Sequence, residues 1–190
     1  MLKKIILLFA TLTLLGTGTL PLAHGAGPVG LTQARSPLTR ELGELWFGMR
    51  VNEAMVDWFN QTARADDVAA VTAQEVALLE RITAGRKQVL FTSVAEAEQL
   101  VPTLADKMDI IGYDLEHWPQ TPADEQADPL AAVQRLQALA RQYDLSLALG
   151  PDRRFAVDYG AAMAPYADKF SLQLQRLQAD PEALLAFAQP

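Results

Sequence analysis

Short runs at residues 88–92, 109–116, 145–149 and 170–175 read as β-strands, and stretches with helical spacing separate them. Strands that alternate with helices form βαβ units and a parallel sheet. The faces of these strands narrow the choice further. Leu145, Leu147 and Leu149 share one face while Ser146, Ala148 and Gly150 share the other; Phe170, Leu172 and Leu174 likewise oppose Ser171, Gln173 and Gln175. A sheet covered by helices on both sides favours apolar residues on both faces. One apolar face and one small or polar face instead predict an α/β barrel-like sheet, with helices outside and a polar end to its lumen.

The intervening helices carry their own start signals. Ser93 is placed to cap a helix bearing Ala97, Leu100, Val101 and Leu104, and Asp128-Pro129 opens one with Val133, Leu136, Leu139 and Ala140 on a single stripe. A further helix is expected over 155–167, and Asp180-Pro181 opens a last one. Upstream, Thr72 and Glu75 have capping-box spacing ahead of Val76, Leu78, Leu79 and Ile82, with Gly85 as the expected stop. Residues 38–63 read as mainly helical, with Asn52 as a cap and a short strand at 45–51. A complete eight-fold barrel takes about 250 residues. The expectation is therefore a partial or truncated (β/α) barrel, either completed by another chain or, as the length favours, cut from a longer protein.

The start of the chain has a different character. Lys3 and Lys4, an apolar run from Ile5 to Leu15, and then Gly16, Gly18 and Pro21 follow the order of a secretory signal peptide. Ala23 and Gly25 supply the small residues for cleavage before Ala26. The apolar run is shorter than the roughly 20 residues that span a bilayer, so cleavage is expected rather than anchoring. This gives a signal peptide at 1–25, a Gly/Pro-rich leader at 26–37 and one barrel-like domain at 38–190, exported to a periplasm or the exterior, with no membrane association after cleavage. The chain has no Cys and a net charge of −7 that includes the two signal lysines. Disulfides are excluded, and a nucleic-acid partner, which needs a basic face, is not expected.

Candidate chemistry lies at the end of the second strand. Alternation puts Ile110, Gly112, Asp114 and Glu116 on one face, and Ile111, Tyr113 and Leu115 on the other. Asp114 and Glu116 thus point the same way at a strand's C-terminal end, where α/β barrels carry their active sites. Two acids about 7 Å apart along a strand perturb each other, so that one holds a proton at neutral pH and the other stays charged. That is the minimum equipment for glycoside hydrolysis. The same positions also suit salt bridges or a loop cap.

The run Asp109-Ile-Ile-Gly112-Tyr-Asp114-Leu-Glu116 resembles the Asp-Gly-x-Asp-x-Asp-x-Glu strand of chitinase-type glycoside hydrolases. That resemblance implies Glu116 as general acid and Asp114 as the residue that orients the substrate's acetamido group. The family's middle Asp is Gly112 here and its Gly is Ile110. More broadly, Tyr113 to Pro119, Thr121-Pro122, Glu125-Gln126, Asp128-Pro129, Gln173 and Gln175 together resemble a group of uncharacterised bacterial barrel-like proteins, which implies the same fold and lends no reaction.

Tyr113, Trp118, Asp152, Gln173 and Gln175 complete the candidate substrate-binding set. Trp118 suits a sugar-stacking platform or a loop anchor, and the two glutamines suit sugar hydroxyls or one another. With His24 lost with the signal, His117 is the only histidine left, which excludes a multi-histidine zinc site. No phosphate-binding loop, dinucleotide fingerprint or nucleophile elbow occurs, so neither cofactor nor metal is expected. The sequence therefore leads to an exported glycosidase-like protein that acts on carbohydrate. The alternatives are a non-catalytic carbohydrate-binding or envelope-associated protein, or an inactive fragment.

Overall fold

The computed structural model describes residues 47–173 together with Asp180, Glu182 and Ala183. The expected signal peptide and leader, and Gln175, lie outside the described residues. Six strands, β1 (Gly48–Arg50), β2 (Val68–Thr72), β3 (Arg86–Phe91), β4 (Ile110–Tyr113), β5 (Ser146–Leu149) and β6 (Lys169–Phe170), form one sheet in the order β1-β2-β3-β4-β5-β6. Every pair is parallel, so each strand lies beside its predecessor after a crossover. The sheet curls into a half-barrel flanked by helices, the partial barrel that the one-sided strands imply.

Outward-pointing Ala69, Val71, Val89, Phe91, Ile111, Tyr113, Leu115, Leu147 and Leu149 join the helices in the main core. The inner face holds a much smaller apolar cluster of Val68, Ile110 and Ala148. Burying one large apolar side chain contributes roughly 1.5–3 kcal/mol, so the outer layer drives folding and leaves the inner face free to be polar.

The main helices are α1 (Val56–Thr62), α2 (Val94–Leu104), α3 (Ala123–Ala127), α4 (Pro129–Gln142) and α5 (Arg153–Met163). The caps of α2 and α4 are the expected ones, that of α5 comes from Asp152, and the expected cap Asn52 makes no side-chain hydrogen bond to the short 3-10 turn that follows it. Ser93 Oγ accepts the Glu96 N–H, Asp128 Oδ1 accepts that of Ala131, and Asp152 Oδ1 accepts that of Phe155. Each satisfies a donor that the first helical turn leaves open.

Three expectations change. Strand β2 lies within a stretch with no strand expected: its run Val-Ala-Ala-Val is apolar on both faces and lacks the alternation that marks a half-buried strand. The segment after it is a 3-10 helix, Ala73–Glu80, kinked at Glu75. Thr72 forms no side-chain cap there; its hydroxyl instead donates to Glu75 Oε2 at 2.8 Å. Gly85 belongs to the turn into β3, where φ is +67° and a Cβ would lie 2.5 Å from the Asp67 carbonyl oxygen. The strand end at 109–116 is also shorter than expected, because β4 stops at Tyr113 and Asp114 N–H adds one last ladder bond to Phe91 O.

A repeated device closes the opposite, N-terminal rim. Asp67, Asp109 and Asp168 each stand one residue before an even-numbered strand, and their carboxylates accept the N–H of Phe47, Lys87 and Leu147 at the start of the preceding odd strand.

Candidate active site

The C-terminal ends of the strands surround a cavity of about 170 Å³ on the inner face, lined in part by Arg50, Gln88, Asp114, Glu116, Ser171 and Gln173. Alternation continues past the end of β4: Leu115 is buried in the outer core while Asp114 and Glu116 face the cavity. Gln173, three residues beyond β6, reaches across to both acids. Its Nε2 donates to Glu116 Oε1 at 2.7 Å and Gly150 O at 3.1 Å, and stands 3.5 Å from Asp114 Oδ1. Three residues expected at the site are thus brought together by one amide.

Burial, reinforced by the Glu116 charge, pushes the Asp114 carboxyl up to about 7, against a smaller downward pull from Arg50. A proton on Asp114 is therefore available near neutrality. Glu116 is held from the backbone side as well, since its N–H donates to Thr121 Oγ1 at 3.3 Å.

Other expected residues have different places. The Tyr113 ring lies in the helix-facing core, as alternation requires, and its hydroxyl donates to Glu125 Oε2 at 2.6 Å. Buried Glu125 also accepts the Val94 N–H through both oxygens, so the Tyr113 hydroxyl ties β4 to the start of α2, while Tyr113 also lines the cavity. Burial and Glu125 both push the Tyr113 hydroxyl upward, which keeps it a donor.

Trp118 is a loop anchor: its indole N–H donates to Thr121 Oγ1 at 2.9 Å, and Gln126 Nε2 donates to the carbonyls of Trp118 and Thr121. Asp152 accepts from His117 N at 2.9 Å and contacts His117 Nδ1 at 2.7 Å, while the His117 ring stacks on Phe155 at 3.8 Å between centroids. Burial acts to raise the Asp152 carboxyl, but the Phe155 and His117 hydrogen bonds outweigh it and hold it below the ordinary range. Neither Trp118 nor Asp152 lines the cavity; both brace the loop that follows Glu116.

The sequence did not single out Arg50, Gln88 or Ser171. Arg50, at the end of β1, is paired with Glu75 at 3.4 Å, and Glu75 is fixed in turn by Thr72. The Thr72/Glu75 spacing therefore positions a guanidinium instead of capping a helix. Gln88 faces inward because it pairs in register with Ile110 and Ala70. It occupies the space beside Gly112, where a Cβ would lie 2.3 Å from Gln88 Nε2 and 2.7 Å from Leu90 Cδ2. A polar residue in the run 88–92 was the signal that could have found it.

Among the described residues, no group of three or more His, Cys, Asp or Glu could hold a metal ion, and no helix is long and apolar enough to cross a membrane. No protein-family model, curated protein or solved structure matches the chain. The chemistry of the site therefore rests on its own geometry.

Proposed function

We propose that the chain is an exported glycosidase-like protein whose cavity binds carbohydrate and whose Asp114 and Glu116 cleave a glycosidic bond. The observation that carries this reading is one pair of carboxyl groups bridged by Gln173 at the sheet's C-terminal end, with a proton held near neutrality. In the reaction the glycosidic C–O bond breaks, the leaving oxygen gains a proton from the pair through Glu116, and water adds hydroxide to the anomeric carbon while its other proton returns to the pair. Asp114, two residues further down the strand, is the pair's proton store and becomes the carboxylate that stabilises positive charge on the ring. The resemblance to chitinase-type hydrolases supports Glu116 as the acid.

Glu116→Gln in the exported chain is the direct test. Loss of reducing-end release from a glycan that the unaltered protein cleaves, with the melting curve unchanged, is the expected result; undiminished release removes the catalytic assignment.

A second reading, a carbohydrate-binding protein without turnover, has one observation in its favour. Gly112 stands where the chitinase-type strand has its middle acid, and Gln88 fills that space. Glycan binding with no product over long incubation decides for it.

A further inference from the structure

Besides the two acids, the cavity is lined by the polar side chains of Gln88 and Ser171 and by Ala148. Gln88 is 4% exposed and Ser171 5%, and no buried side-chain nitrogen or oxygen among the described residues lacks a partner, so the amide and the hydroxyl, which bond to no other described residue, open onto the cavity. A polar group that opens onto a cavity takes its hydrogen bonds from whatever fills that cavity. An amide and a hydroxyl left open on the same cavity wall are thus set to be completed by what enters the cavity. Together they offer three donor hydrogens and two acceptor oxygens, which suits the hydroxyl groups of a polyol, each at once donor and acceptor.

Charge narrows the occupant. Two carboxyl groups face the cavity against one guanidinium, and Arg50 is already shared with Glu75. An anionic ring meets net repulsion there. Volume narrows it again: about 170 Å³ is below the roughly 300–1,000 Å³ of pockets for drug-sized ligands, so one small ring fits at a time.

We infer that Gln88 and Ser171 form a recognition subsite for the hydroxyl groups of a single neutral sugar ring, and that Gly112 is a glycine so that the Gln88 amide can occupy the place of an acid. The inference rests on the glycan reading above and adds the class of ring and the residues that select it. A site built to bond a hydroxyl rejects an analogue that lacks it far more strongly than an apolar pocket rejects a missing methylene.

The test uses the full chain and a panel of methyl pyranosides, their monodeoxy analogues and the matching methyl uronates, with binding followed by ligand-observed NMR and folding by thermal melt. The expected result is binding of at least one neutral pyranoside, at least tenfold weaker binding of one of its deoxy analogues and of its uronate, and a loss of at least tenfold in both Gln88→Leu and Ser171→Ala. Ser171→Ala removes a single oxygen and keeps the test valid if Gln88→Leu melts early. Equal binding by Ser171→Ala and the unaltered chain, or a uronate preferred over its neutral parent, overturns the subsite and leaves the glycan reading standing. Failure of the unaltered chain to bind any member of the panel overturns both.

Discussion

Gly112 and Gln88 divide one space between them: a Cβ on Gly112 would lie 2.3 Å from Gln88 Nε2 and 3.0 Å from its Cδ. The two strands pair in parallel, and the glycine of β4 lets the amide of β3 lie flat against the inner face. Gly112→Ala is expected to lose about 1–3 kcal/mol from overpacking. Because Gln88 is one of the two groups displaced, with Leu90 Cδ2 at 2.7 Å the other, part of that loss should vanish when Gln88→Ala is added. Urea denaturation of the two single variants and the double variant measures the coupling, and additive losses would rule out the shared space.

Asp114 should make stability fall as pH rises. Its carboxyl is raised in the fold from 3.8 to about 7, so the protonated form favours the fold. That contribution is fully present below the ordinary carboxylate value and is lost as pH passes upward through about 7. A shift of this size corresponds to at most about 4 kcal/mol, shared with the Glu116 interaction. Asp114→Asn keeps a neutral side chain at every pH, so its urea midpoint should vary less between pH 5 and pH 8 and exceed that of the unaltered chain at pH 8.

Asp152 works with the opposite sign. Its carboxyl is held low by the α5 cap and His117, so its contribution is present above the ordinary carboxylate value and fades as pH falls through the lowered one. Asp152→Ala should cost roughly 1–2 kcal/mol at pH 7, the scale of a lost helix cap. The accompanying loss of order around His117 is measurable as faster exchange of its amide hydrogen.

Tyr113→Phe tests whether that side chain serves the fold. The hydroxyl is bonded to Glu125 in the helix-facing core, so its removal should cost about 1–3 kcal/mol of stability and leave the affinity for any bound glycan within twofold. Thermal melts beside a binding titration separate the two effects; a large affinity change with unaltered melting would return Tyr113 to the site.

The sheet from residue 86 onward was legible in the sequence because each strand there alternates and each helix carries a start signal. Leu147 and Leu149 against Ser146 and Ala148 specified both faces, and Ser93 and Asp128 supplied caps before the apolar stripes. Strand β2 was hidden for the converse reason: Val68 to Val71 is apolar throughout, and the Thr72/Glu75 spacing mimicked a helix start. Asp114, Glu116 and Gln173 could be gathered from period-two alternation alone. Arg50 could not, because its place depends on the pairing of β1 with β2, whereas Gln88 and Ser171 carried a signal, a polar residue on an inner strand face. Trp118 and Asp152 resemble ligand-facing residues in type and position, and only their hydrogen bonds reveal that they hold the loop instead.

The three aspartates ahead of β2, β4 and β6 give the sheet a period of two strands. Each clamps an even strand to the odd one before it, whereas among the described residues the β2–β3 and β4–β5 seams have no such aspartate clamp; the Arg86 guanidinium reaches Ser146 Oγ across β4 at 3.2 Å. Local opening should therefore run along the unclamped seams, and the sheet should breathe as three double-stranded leaves. The amide hydrogens of Phe47, Lys87 and Leu147, though at strand ends where fraying is usually fastest, should be among the slow ones to exchange at that rim.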